Sequence, residues 1–305
     1  MSLMTTMLLG FIAGVTILLG LPIGRLRRPA PSLRALLNAT AIGILLFLVW
    51  DVFSAAWAPI DEALASVHEG KGGLGTAAGY GVLFAAGLSV GLLSLVYYES
   101  WMTRQFARAQ QARNGERPHG PGAAAIDELR TRRPSRIASW SAAQRLSLLI
   151  AVGIGLHNFA EGLAIGQSAA SGELALALLL VIGFGLHNAT EGFGIVAPLA
   201  GDIDDDGNLR RPSWRFLLSM GAIGGGPTFV GTIIGHGFAS EAVSVVFLTL
   251  AAGSIVYVVT QLVMVAAKTR RPDLLAYGLL LGARRRLPHR RHRHSSGGLS
   301  ARTLP

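Results

Sequence analysis

Residues 155–165 read GLHNFAEGLAI and residues 185–195 read GLHNATEGFGI, so one motif occurs twice, thirty residues apart. Each copy places a His, an Asn and a Glu inside a long apolar stretch. Ionisable groups are costly in such stretches and, when present, indicate a functional site. The copies agree at eight pairs of positions, which are Gly153 and Gly183, Gly155 and Gly185, Leu156 and Leu186, His157 and His187, Asn158 and Asn188, Glu161 and Glu191, Gly162 and Gly192, and Ile165 and Ile195.

The whole chain is too apolar for a soluble protein of its size. Of its 305 residues 51% are hydrophobic and only 14% are charged, and the mean hydropathy is +0.47. A helix that crosses a membrane needs about 20 mostly apolar residues. The sequence therefore predicts an all-α polytopic membrane protein, with seven spans at about 4–24, 36–57, 77–100, 144–169, 174–199, 214–236 and 242–267, and an eighth helix that is short because its apolar run stops at Arg284.

The net charge of +10 lies mostly in alternate loops. Basic residues follow spans one, three, five and seven, whereas the other connections contain only Lys71. By the positive-inside rule this pattern places the basic loops in the cytoplasm and the N-terminus outside. The charge is therefore interpreted as a topology signal, and no nucleic-acid partner is expected.

The composition divides the chain into four segments. Residues 1–101 hold spans one to three, and residues 102–143 are predicted to be a flexible cytoplasmic loop. Residues 144–283 hold spans four to eight with the site, and residues 284–305 form a basic low-complexity tail. If the eighth helix crossed the membrane, this tail would lie outside, against the positive-inside rule. Either the last helix is incomplete or the tail is an exception to that rule. A change of reading frame near residue 283 is one hypothesis for the abrupt change of composition. A polar outer connection is predicted over 59–75.

The motif has the spacing of a metal site on two helices. His157 and Glu161, like His187 and Glu191, are four residues apart and share one face of a helix. The short connection between the spans makes the helices antiparallel neighbours, which implies a local two-fold axis in the membrane plane. Two imidazoles and two carboxylates suit a divalent transition metal such as zinc. The alternative is that His and Glu only pair with each other as polar contacts between helices.

The asparagines beside the histidines admit three interpretations. Asn158 and Asn188 are weak ligands, partners that orient the histidines, or hydrogen-bonding groups between helices. The chain has no cysteine, so thiolate ligands and disulfides are excluded.

These motifs resemble those of the ZIP family (Zrt/Irt-like proteins) of divalent metal transporters, and in particular its bacterial GufA-like branch. HNFAEGLAIG is similar to the family's fourth-helix signature and HNATEG to its fifth. The resemblance implies an eight-helix bundle in a prokaryotic cytoplasmic membrane that moves zinc, iron, manganese or cadmium into the cytoplasm. It implies that His157, Glu161, His187 and Glu191 form the primary site, with Asn158 and Asn188 bordering a second one. We expect no prosthetic group and the lipid bilayer as surroundings, and a homodimer is one hypothesis for the assembly.

Two departures from the family pattern reduce the expected number of ions. Family members with two metals usually carry an acid before the proline of span six, where this chain has Gly226, and an acidic pair in span seven, where it has Gln261. We therefore predict one principal ion. Asp51, the single acid in the apolar part of span two, is a candidate gate or capture residue on the pathway, along with Gln261; the alternative for Asp51 is a helix-end cap.

Three functions are compatible with such a site. A carrier is favoured. An intramembrane zinc hydrolase would be expected to carry the H-E-x-x-H motif with Glu as base, whereas both copies here read H-N-x-x-E. A passive metal-selective channel would use the same ligands. The sequence therefore predicts transport and no enzymatic activity.

Overall fold

The computed structural model describes residues 1–25, 31–115, 140–203, 207–269 and 271–283. Within these residues the chain forms eight α-helices and no sheet, and its one strand-like pairing is an isolated bridge between Ile203 and Leu209. The helices are α1 (Leu3–Val15), α2 (Pro31–His68), α3 (Leu74–Gly115), α4 (Ala142–Ala170), α5 (Leu174–Val196), α6 (Trp214–His236), α7 (Glu241–Thr269) and α8 (Pro272–Ala283). Short 3₁₀ segments extend α1 to Arg25 and α5 to Gly201.

The predicted fold class is confirmed: this is an all-α multi-pass membrane protein with a short final helix. Seven helical segments are long and apolar enough to cross a membrane, and each overlaps one of the seven predicted spans. The eighth helix has 12 residues. It is about 18 Å long, well short of a hydrocarbon core of about 30 Å.

Two predicted loop boundaries differ from the structure. Helix α2 continues to His68 with Pro59 inside it, so the outer connection begins only at Glu69. Pro59 removes one backbone donor, but the helix-favouring residues after it keep the chain helical. Helix α3 likewise continues beyond residue 101 to Gly115, because a run rich in Ala, Gln and Arg favours helix outside a membrane. The remainder of the predicted loop, up to residue 139, and the predicted tail from residue 284 lie outside the described residues.

The helices pack as two groups of four. The first group, α1, α4, α5 and α6, contains both copies of the motif, and the second comprises α2, α3, α7 and α8. The groups meet mainly where α4 packs on α7 and α5 packs on α2. The motif helices therefore form part of the boundary between the two groups.

Glycine contacts in the first group follow a two-fold axis. A Cβ added to Gly14 of α1 would strike the carbonyl oxygen of Gly225 of α6, and one added to Gly225 would strike that of Gly14. Between the other helices, Gly162 of α4 approaches Thr228 just as Gly192 of α5 approaches Ile17. Exchanging α1 with α6 and α4 with α5 therefore converts each of these contacts into its counterpart. The local symmetry expected for the motif extends to their neighbours.

The second group follows the same axis and explains what the short α8 does. Gly91 of α3 packs against the backbone of Leu250, and Gly253 of α7 packs against Leu88. Correspondingly, Gly282 of α8 packs against Thr40, and Gly43 of α2 packs against Leu279. These are close backbone approaches of the kind that small residues permit in membrane helices. Although α8 is too short to cross the membrane, it thus keeps the part of its contact with α2 that glycines line.

The glycine contacts predict a stability difference between two positions on one helix. At Gly91 a Cβ would meet the Leu250 backbone, whereas at Gly79 no atom of the described residues lies within 4 Å. Gly91→Ala should lower the free energy of unfolding by about 1–3 kcal/mol, because the backbones must separate. Gly79→Ala should leave it unchanged or raise it by up to about 1 kcal/mol, because alanine favours helix. Thermal unfolding in detergent measures both, and equal melting temperatures would contradict the close packing.

Candidate metal centre

The four predicted ligands meet at one point between α4 and α5. The Nε2 atoms of His157 and His187 are 3.1 Å apart. Within each copy the Glu Oε1 lies close to its own histidine, at 3.1 Å for Glu161 and 3.4 Å for Glu191. The cross distances are nearly equal, at 3.5 Å from His187 Nε2 to Glu161 and 3.6 Å from His157 Nε2 to Glu191. The cluster therefore has the two-fold symmetry of the helices that carry it.

Three of the four side chains are spaced as the ligands of one metal ion. The ligand atoms of His157, Glu161 and His187 all lie within 4.8 Å of one another, and Glu191 is not part of that group. Four atoms that surround zinc at about 2.0–2.1 Å would be separated by about 3.3–3.4 Å, and the five distances above span 3.1–3.6 Å on both sides of that value. The separation of the two carboxylates is therefore the one that departs from this geometry, so Glu191 must move toward Glu161 to complete a tetrahedral site.

Burial separates this cluster from an ordinary ion-pair network. All four side chains belong to residues that are at most 7% exposed. Of the residues that the structure describes, none makes a hydrogen bond of acceptable geometry to either oxygen of Glu161 or Glu191. Two buried carboxylates without such partners are costly unless a positive charge lies close to them. A dication bound beside the histidines would supply that charge, which favours a metal site over polar contacts alone.

The asparagines act as hydrogen-bonding groups between helices. Asn158 Nδ2 donates to the carbonyl of Gly224 on α6 at 2.9 Å, and Asn188 Nδ2 donates to that of Ala13 on α1 at 3.0 Å. Both amide oxygens are buried, and each lacks a hydrogen-bond partner among the described residues. Of the three interpretations the structure supports interhelical bonding for the amide nitrogens, and it leaves the two oxygens available to a ligand.

Asp51 and Gln261, the candidate pathway residues, lie outside the cluster at equivalent places in the repeat. Each comes eight residues after one of the paired glycines, Gly43 in α2 and Gly253 in α7. Since α2 and α7 run in opposite directions, Asp51 and Gln261 lie in opposite halves of the span. Gln261 Nε2 donates to Glu99 of α3 at 2.8 Å. Asp51 Oδ2 is buried without a hydrogen-bond partner in the described part of the chain.

One residue of the site was missed by the sequence analysis. Ser254 of α7 places its Oγ 2.9 Å from His157 Nδ1, and it is only 3% exposed. The same Oγ donates to the carbonyl of Ala251 at 2.7 Å. Ser254 lies 97 residues from His157 in an apolar span of ordinary composition, so no local pattern indicates the contact.

Comparison with known proteins adds no family assignment, because no protein-family model and no curated protein matches the chain significantly. What can be stated of the site therefore comes from its residues and geometry. The protein is a helical membrane protein with a buried His/Glu cluster that could hold a metal ion.

The cluster predicts that metal binding depends on the charge of Glu161 and not on the charge of Glu173. Glu161→Gln keeps the shape of the side chain and removes a ligand charge, so zinc affinity should fall by more than the 10–100-fold that loss of an outer partner costs. Glu173→Gln is the matched control, because Glu173 is exposed in the turn between α4 and α5. Competition with a chromophoric chelator in detergent measures both affinities, and equal affinities for the two variants would exclude the proposed ligand set.

Proposed function

We propose that this protein is a ZIP-like transporter that carries divalent transition metal ions across the membrane. The observation that carries the proposal is the buried cluster of two histidines and two glutamates, shared by two antiparallel membrane helices. Sites of this kind, at the midplane and on repeat elements of inverted direction, are characteristic of transporters. The two signature motifs support placement in the ZIP family.

The depth of the site favours movement of the ion over a purely structural role. His157 lies near the middle of the span Ala142–Ala170, about 20 Å from either end at 1.5 Å a residue, and His187 has a similar place in Leu174–Leu199. An ion bound there must enter from one surface. Asp51 and Gln261 lie in opposite halves of the membrane span. We propose that each of them lines the path of the ion on its own side of the site.

The ligand chemistry ranks the candidate substrates. Imidazole and carboxylate with no sulfur suit zinc, ferrous iron and manganese, and they also accept cadmium. Zinc is proposed as the preferred substrate, because it commonly takes imidazole and carboxylate ligands in four-coordinate sites. One principal ion is proposed, because spans six and seven lack the acids that a second dication would require.

In the proposed cycle the four side chains replace the water molecules of the entering ion. Carboxylates and imidazoles bind metal only when deprotonated, so binding displaces any protons that they carry. Movement of the two helix groups relative to each other then exposes the site to the other surface. Transport toward the cytoplasm of a prokaryotic cell is inferred from the resemblance, and the orientation with the N-terminus outside from the loop charges.

A hydrolase is less well supported by the same residues. Both carboxylates face the two histidines and serve as ligands, which leaves no third carboxylate at the cluster to act as general base. That statement covers the residues that the structure describes. A passive channel requires no further residues and differs from a carrier only in its energetics.

Flux through reconstituted vesicles tests the proposal. Wild-type protein should give zinc uptake that saturates with concentration, and Glu191→Gln and His187→Ala should abolish it, because each removes a ligand. Glu173→Gln should transport normally. Saturable uptake that proceeds against a zinc gradient would identify a coupled carrier, and uptake that only dissipates the gradient would not separate a carrier from a channel. Absence of uptake from folded, metal-binding protein would exclude transport.

The absence of native cysteines allows a direct test of orientation. Ser2→Cys and Ser213→Cys place single thiols at exposed positions before α1 and before α6. In intact cells a membrane-impermeant maleimide should label position 2 and leave position 213 unlabelled until the membrane is opened. The reverse pattern would show that the N-terminus is cytoplasmic.

A further inference from the structure

We propose that Ser254 is a positioning residue that fixes the tautomer of His157, so that His157 presents an unprotonated Nε2 to the metal. The inference rests on the proposed metal site and extends it across the boundary between the two helix groups, because His157 belongs to α4 and Ser254 to α7. It assigns a role to a residue that offers no ligand of its own.

The direction of the hydrogen bonds follows from counting protons. A serine hydroxyl has one hydrogen, and that of Ser254 is used on the Ala251 carbonyl at 2.7 Å. At 2.9 Å from His157 Nδ1 the same oxygen must therefore accept. His157 consequently carries a proton on Nδ1, which leaves Nε2 as the ring nitrogen that can bind a metal. This is the arrangement in which a partner of the second ring nitrogen fixes a metal-binding histidine.

The other ring nitrogen of His157 faces the rest of the cluster. His157 Nε2 lies 3.1 Å from His187 Nε2 and 3.1 Å from Glu161 Oε1. Ser254 therefore holds the ring from the side opposite the cluster, so that Nε2 points at the other ligand atoms. His187 Nδ1, in contrast, is buried and has no hydrogen-bond partner in the described residues.

The repeat shows that this support is present on only one side. Ser254 follows Gly253 in α7, and the equivalent glycine of α2 is Gly43. The residue that follows Gly43 is Ile44, which has no hydroxyl group. His157 is thus the histidine of the pair that a hydroxyl group positions, whereas His187 Nδ1 has no hydrogen-bond partner in the described part of the chain.

The test measures the tautomer directly. Histidine labelled with ¹⁵N in metal-free protein in micelles reports which ring nitrogen is protonated, and the His157 signals are assigned from their loss in His157→Gln. In wild type His157 should be the Nδ1–H tautomer. Ser254→Ala should yield a mixture or the Nε2–H form, and Ser254→Thr, which keeps a hydroxyl, should restore the wild-type spectrum. A His157 that is Nε2-protonated in wild type, or unchanged in Ser254→Ala, would overturn the proposal.

Zinc affinity provides the second readout. Ser254→Ala should weaken zinc binding about 10–100-fold, the usual cost of losing such a partner. Ser254→Thr should bind close to wild type. Ser147→Ala is the matched control, because Ser147 is equally buried and its hydroxyl donates to the Ile195 carbonyl at 2.7 Å, yet no hydrogen bond joins it to a histidine in the structure described. It should retain wild-type affinity and the wild-type His157 spectrum.

The two proposals fail in different ways. If wild type transports zinc and Ser254→Ala binds zinc as tightly as wild type, the role of Ser254 is wrong and transport stands. If the His157 tautomer depends on Ser254 but wild type transports no metal, the positioning role stands and the proposed function fails. Loss of zinc binding in Ser147→Ala equal to that in Ser254→Ala would show that the effect is general destabilisation, and would also overturn the role of Ser254.

Discussion

Two carboxylates buried in the middle of a membrane impose the constraint on which the rest of this structure depends. Glu161 and Glu191 are surrounded by protein and lack hydrogen-bond partners of their own among the described residues. Charges in that position are tolerated only when an opposite charge lies within a few ångströms. The two histidines bring their Nε2 atoms to the same point, and the resulting cluster could hold a metal ion.

Such a cluster requires helices that approach closely, and glycine makes this possible. Gly162 and Gly192, one residue after each glutamate, lie against the backbones of α6 and α1. A side chain at either position would separate the helices and move the carboxylates with them. The glycines that repeat with the motif therefore serve packing, and the His and Glu residues beside them form the buried cluster. Helix α4, which carries the first copy of the motif, packs on α6, and α5, which carries the second copy, packs on α1.

The site departs from two-fold symmetry at one contact. The hydroxyl of Ser254 reaches His157, but the equivalent position in α2 is occupied by Ile44. The two histidines therefore have different surroundings, and in the described residues only His157 forms a side-chain contact with a hydroxyl group of the second helix group. Because Ser254 belongs to that group, the contact depends on how the two groups pack against each other.

The fold class, the seven spans and the four residues of the buried His/Glu cluster could be predicted from the sequence. Long apolar runs can satisfy their backbone groups in a membrane only as helices, and His and Glu four residues apart must share a face. The sequence overestimated the loops after α2 and α3, because polar composition marks the end of a membrane span but not the end of a helix. The pairing of helices distant in the chain depends on tertiary packing: the two groups of four, the hydrogen bonds of Asn158 and Asn188 to α6 and α1, and the contact of Ser254 with His157. These contacts join residues that are 66 to 175 positions apart and share no local pattern, so they exist only once the helices have packed.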